Sequence, residues 1–187
     1  MADNNIDYLK GIETDRLIIR KLTRRDIPVW ADFFLDKESF SFIGLEDNKL
    51  PCEHSEDWLE RQFKRYRNGE YGLMALVEKE TMKLVGQCGI ILMNVEHEGE
   101  LEIGYHIISK FRGKGFATES AAAFRDYIFE NKKAASAITV INTANSISMK
   151  VTENLGFRRE RETVCMNKPS YLYRITREEW EKLKSMD

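Results

Sequence analysis

The stretch "GYHIISKFRGKGFATESAAAF", residues 104–124, restricts the fold more than any other part of this chain. It begins as a strand, ends as an alanine-rich helix, and changes from one to the other across Gly113 and Gly115. A helix that starts at such a turn presents unpaired N–H groups and a partial positive charge there. Small residues let a ligand approach that main chain closely. Lys110, Arg112 and Lys114 add cationic side chains. Together these features make an anion site, and phosphate is the anion they suit best. The pattern is not a Walker A loop, because no Gly-x-x-x-x-Gly-Lys-Ser/Thr occurs. It also lacks the third glycine of a dinucleotide fingerprint. A tight strand-to-helix turn with no ligand is the competing reading of the same residues.

The order of elements around this turn implies a mixed α/β domain. "RLIIRKL" (16–22) reads as a strand, and Thr23-x-x-Asp26 opens a helix carrying Ile27, Trp30, Phe33 and Phe34. A second helix is expected after Ser55, with Leu59, Phe63 and Tyr66 on one face and Gly69 as its stop. Residues 71–79, 83–93 and 100–108 read as consecutive antiparallel strands with short joins, one of them the loop 94–99. After Gly115, Ala117, Ala121, Phe124 and Ile128 recur at helical spacing. A buried-type strand (135–142) and a helix (145–157) closed by Gly156 follow. Strands 158–164 and 170–176 and a short helix over 177–185 end the chain. The expectation is one domain over residues 1–187, with its core over about 13–176. Its sheet should be central, mixed and mostly antiparallel, with about seven strands and helices on both faces.

Composition excludes several classes of function. The 29 basic and 31 acidic residues give a net charge of −2, so no concentrated positive surface for a nucleic-acid partner is implied. There is no apolar run long enough to span a membrane. The polar start, MADNNIDYLKG, lacks a signal-peptide core, so a cytoplasmic location is expected. Cys52, Cys88 and Cys165 are odd in number and lack CxxC spacing, which reads as free thiols. His54, His97 and His106 are not spaced as metal ligands, so no metal is expected.

Four linked stretches carry a family resemblance. Arg112, Gly115 and Ala117 fill the pattern Arg/Gln-x-x-Gly-x-Gly/Ala. "ETDRLIIRKLTRRDIPVW" (13–30), "LEIGYHI" (101–107) and "NSISMKVTENLGF" (145–157) stand at matching order and spacing. The chain therefore resembles the GCN5-related N-acetyltransferases (GNAT), in particular their RimJ/RimL-type branch. The resemblance implies a GNAT fold with the sheet splayed between its fourth and fifth strands. It also implies acetyl-CoA as co-substrate and direct attack by an amine in a ternary complex. The acceptor would be a protein N-terminal α-amine or a small amine, and the protein a monomer or homodimer. A non-catalytic acyl-CoA-binding module and a nucleotide-binding turn stay open beside it.

By that resemblance Arg112, Gly113, Lys114, Gly115, Phe116, Ala117 and Thr118 form a pyrophosphate cradle. The strand residues Tyr105, His106 and Ile107 lie beside the thioester arm, with Gly104 marking a bulge. Asn145 hydrogen-bonds the pantetheine. Glu102 is the general base, with His106, Glu100 or an ordered water as alternatives. The tyrosine that many members use as acid is replaced by Thr152, and Ser148 is the stand-in. Ile147, Val151 and Leu155 should form an apolar stripe facing the core.

Overall fold

The computed structural model describes residues 12–45, 48–95 and 98–186. The sequence reading of the N-terminal eleven residues and part of the loop after residue 95 lie outside the described residues. Seven strands form one sheet in the order β1-β2-β3-β4-β5-β7-β6. They are β1 (Leu17–Arg20), β2 (Leu73–Glu78), β3 (Leu84–Val95), β4 (Glu98–Ile107), β5 (Ser136–Asn142), β6 (Arg158–Cys165) and β7 (Lys168–Thr176). Every neighbouring pair is antiparallel except β4 and β5, which run parallel. The helices are α1 (Ile27–Leu35), α2 (Lys37–Phe42), α3 (Pro51–Arg67), α4 (Phe116–Glu130), α5 (Ser146–Asn154) and α6 (Arg177–Lys184).

Strand alternation on β4 separates the two faces of the sheet. His106 meets the rings of Phe33 on α1 and Trp58 on α3. Its neighbour Tyr105 points the other way and reaches α5. α4 lies across β3 and β4, and its Ala121, Phe124 and Ile128 are buried as their spacing predicts. On the opposite face Trp30, Phe33, Phe34 and Leu59 are buried. Each fully buried side chain of this size contributes about 1.5–3 kcal/mol. α6 is tied back onto α4 through Trp180, whose Nε1 donates to Asp126 at 2.8 Å.

Several local expectations shift. The Thr23–Asp26 motif forms its capping box, but it closes a 3₁₀ turn (Arg24–Asp26) before α1 begins at Ile27. Asp26 accepts both Thr23 N–H at 2.8 Å and a two-pronged Arg20 contact at 2.7 Å, and this pins the turn to β1. α2 was not expected. α3 starts four residues before Ser55 rather than after it, with Pro51 at its first position and Glu53 accepting the Leu50 N–H at 2.7 Å. The β3–β4 register runs unbroken from Gly86↔Ile107 to Val95↔Glu98, so Gly104 makes no bulge there. Its role is steric: a Cβ would come within 3.2 Å of the Leu73 side chain.

Candidate active site

β4 is fully laddered to β3, but it pairs with β5 at a single register position, Glu102↔Ile138. The two parallel strands therefore part beyond that point. A cavity of about 430 Å³ opens along the gap, within the usual range for ligand sites. It is lined by the C-terminal half of β4, by β5, by the glycine turn and by the start of α5. Phe33, Ser39, Phe42 and Ile43 close the α1–α2 side.

At the turn, Gly113 and Gly115 have φ of 74° and 82°, in the left-handed region where a side chain is strained. A Cβ on Gly113 would meet nothing within 4 Å, so the main chain there is open to a ligand. α4 begins without a side-chain cap. The N–H groups of residues 113–118 donate to no described residue. These amides fit an anion, and the cavity-lining residues Arg112, Gly113, Gly115, Phe116, Ala117 and Thr118 surround the place for one.

The cationic side chains of the turn are each paired with a carboxylate from another element. Lys110 pairs with Asp32 at 2.6 Å, Arg112 with Asp36 at 2.6 Å and Lys114 with Glu78 at 3.5 Å. Lys114 also lies against the Phe111 and Phe116 rings and is absent from the cavity wall. Arg112 donates further to the Ile107 carbonyl at 3.2 Å and to Ser39 Oγ, tying the start of α2 to the end of β4. Burial works against the Asp36 charge, yet hydrogen bonds from Ser39 and Arg112 hold its carboxyl below the usual range. With each cation facing a carboxylate, the positive potential of the turn comes chiefly from main-chain N–H groups and the helix end.

On β4, Glu102, Gly104, Tyr105, His106 and Ile107 all line the cavity. Burial pushes the Glu102 carboxyl up to about 7, opposed by a hydrogen bond from the Val140 main chain and by the charge of Arg65. A carboxylate titrating there is well matched to accepting a proton near neutrality. The two side-chain fallbacks are weaker. Burial pushes His106 down to about 4, so it is neutral and a poor base. Glu100 is ion-paired to Arg174 at 2.7 Å, and Arg174 also holds Glu160.

α5 presents its polar face inward. Asn145 Oδ1 caps the helix by accepting the Ser148 N–H at 3.0 Å, which leaves Nδ2 as its donor toward the cavity. Ser148 and Val151 line the same wall. The apolar stripe departs from expectation, because Ile147 is 65% exposed at the cavity rim while Leu155 is buried. Thr152 is fully buried, and its Oγ1 lies 2.9 Å from the Tyr105 hydroxyl. That hydroxyl also donates to the Ser148 carbonyl at 2.9 Å. The Tyr105 phenol from β4 thus occupies the space beside residue 152, where a tyrosine on α5 would need room. Burial pushes Tyr105 up to about 12, opposed by its bonds with Thr152 and Ser148, so it stays protonated. Nothing in the strand pattern alone signalled this contact.

Among the described residues no cluster of His, Cys, Asp or Glu can hold a metal ion. No helix among them is long and apolar enough to cross a membrane. Cys88 is buried, and its thiol is pushed up to about 12 by that burial.

Comparison with known proteins agrees with this geometry. The sequence profile of the acetyltransferase (GNAT) domain matches residues 16–158. YkkB, an uncharacterized protein of Bacillus subtilis, is 30% identical over 162 residues, covering 86% of this chain and 92% of its own. Mycobacterium smegmatis RimJ in complex with CoA-disulfide superposes with a TM-score of 0.71 at 20% identity, covering 92% of this chain and 93% of RimJ. Vibrio cholerae spermidine N-acetyltransferase, in complex with CoA and spermine, gives 0.69 at 17% identity over 89% and 98% of the two chains. At these identities the two structures speak for the fold.

Proposed function

The chain belongs to the GNAT acetyltransferase family, an acyltransferase by that membership, and from that premise we propose that it moves the acetyl group of acetyl-CoA to a primary amine. The observation that carries the proposal is the junction of three features in one cavity. These are the open amides of residues 113–118, the gap between β4 and β5, and Glu102 beside it. The co-substrate supplies an activated thioester; the chain's residues bind it, orient it and handle the protons.

The turn amides would grip the diphosphate, and Asn145 Nδ2 would donate to the pantetheine arm. A β4 main-chain N–H would polarise the acetyl carbonyl, in the manner of an oxyanion hole. Glu102 would take the proton of the incoming ammonium, directly or through water, freeing the amine for attack. The Ser148 hydroxyl would donate to the departing thiolate, held in place by the cap at Asn145 and the Tyr105 contact. No acyl-enzyme is required.

For the acceptor, we favour a protein N-terminal α-amine, as the RimJ/RimL-type motifs suggest. A small amine is the second reading, supported by the likeness to the spermidine enzyme's fold. The test is thiol release from acetyl-CoA with peptides of free N-terminus, polyamines and amino sugars as acceptors. Release with peptides supports the favoured acceptor; release with polyamines alone replaces it. CoA binding without release for any amine would favour the non-catalytic module.

A further inference from the structure

Three of the cation–carboxylate pairs around the glycine turn come from within or beside it, but a fourth reaches in from the far edge of the sheet. Arg16, directly before β1, donates its main-chain N–H to Glu119 Oε1 at 2.9 Å and its Nε to Oε2 at 2.7 Å. Its Nη2 lies 2.6 Å from the same Oε2, and Nη1 donates to the Lys114 carbonyl at 2.8 Å. The guanidinium carbon stands 5.0 Å from the centre of the Phe116 ring. A Cβ on Gly115 would come within 3.3 Å of Nη2. One side chain therefore bonds the turn at Lys114, lies against Phe116, fills the space a Cβ on Gly115 would need and, through Glu119, holds the first turn of α4.

Glu119 makes this arrangement necessary. A carboxylate in the first turn of a helix is stabilised by the same positive potential that binds an anion. Unpaired, it would compete with and repel a diphosphate at residues 113–118. Its carboxyl lies below the usual range: burial opposes that, and bonds from Arg16 and Thr14 outweigh it. The charge is thus present and must be balanced.

We propose that Arg16 is a positioning residue for the co-substrate, neutralising Glu119 and holding the Lys114 carbonyl so that the turn's amides meet the diphosphate without a rival negative charge. This rests on the reading of the turn as a diphosphate cradle. The Arg16 side chain is 52% exposed, and pairs of that kind add little to stability. The consequence belongs to ligand affinity.

The experiment measures CoA affinity by calorimetry, and kcat and KM for acetyl-CoA, in the parent, Arg16→Ala, Arg16→Lys and the double variant Arg16→Ala/Glu119→Gln. Arg16→Ala should weaken CoA binding and raise the KM for acetyl-CoA about tenfold, with kcat changed far less. Arg16→Lys keeps the charge and loses the fork, so it should fall between the two. The double variant should recover most of the lost affinity, because a neutral amide side chain at position 119 needs no counter-charge. Arg16→Ala binding CoA as the parent does would overturn the inference. So would a double variant no better than Arg16→Ala at unchanged melting temperature, since Arg16 would then be only a strut. Should Arg16→Ala fail to fold, Arg16→Lys with unaltered affinity is the contradicting result. A parent that binds no CoA would remove the cradle itself, a distinct failure.

Discussion

The two edges of β4 differ sharply. Toward β3 the strand is paired along its whole length, and Ile103, opposite Ile90, is 1% exposed. Toward β5 it makes one register pair, at Glu102, and then parts from its neighbour. One edge secures the fold and the other provides a site, because main-chain groups left out of the ladder are available to a ligand. The split also sorts side chains. Buried apolar pairs such as Ile90 and Ile103 sit within the closed ladder, while Glu102 and the Tyr105–Ser148–Thr152 contacts lie where the gap opens.

The largest effect should come from the turn into which the parted edge leads. Gly115→Asp forces a side chain onto a left-handed φ of 82° and sets a carboxylate beside Arg16 at the edge of the anion site. CoA affinity should fall at least about a hundredfold by calorimetry, and a stably folded variant that binds normally would disconnect the turn from the gap.

Next is Glu102→Gln, which should lower kcat/KM for the amine about a hundredfold above pH 7. Parent activity should fall as pH drops through about 7, where Glu102 gains its proton, and the variant should lack that limb. The parent–variant gap should thus widen with rising pH; parallel profiles would discard Glu102 as base. The same substitution tests what the open edge costs. The folded-state pKa of Glu102 is raised, so the fold favours its protonated form, and stability is lost as pH rises from the ordinary carboxylate range through about 7. Glu102→Gln should therefore be more stable than the parent at pH 8, by about 3 kcal/mol, and equal melting temperatures there would contradict the burial account.

Smaller effects are expected from the hydroxyls on α5 and β4. Ser148→Ala should lower kcat about tenfold with little change in CoA affinity. Tyr105→Phe keeps the ring and loses both hydrogen bonds, so a decrease of about threefold in kcat is expected from a loosened Ser148. A larger loss for Tyr105→Phe than for Ser148→Ala would shift the thiolate donor to the phenol.

How much of this was legible in the sequence follows from how local each signal is. The seven strands and the glycine turn were readable, because alternation, periodicity and φ-demanding glycines act over a few residues. α2 was missed because "KESFSF" is too short for helical periodicity to register. The start of α3 carries a readable signal in Pro51 and Glu53, but the Leu59–Phe63–Tyr66 face begins only past Ser55 and places the boundary there. Glu102, Ser148 and Asn145 are assigned by resemblance, and all three line one cavity. The state of the turn's cations was not legible. Lys110, Arg112 and Lys114 look like phosphate ligands in sequence, yet their partners Asp32, Asp36 and Glu78 arrive from distant elements. For the same reason Arg16 carried no local signal, since Glu119 lies 103 residues away.

The most direct test is an amide NMR titration of the protein with CoA. Saturable shifts should concentrate at residues 113–118, on β4 from Glu102 to Ile107 and at the start of α5, while the amides of β1 and β2 stay fixed. Saturable binding that leaves residues 113–118 unmoved would contradict the account.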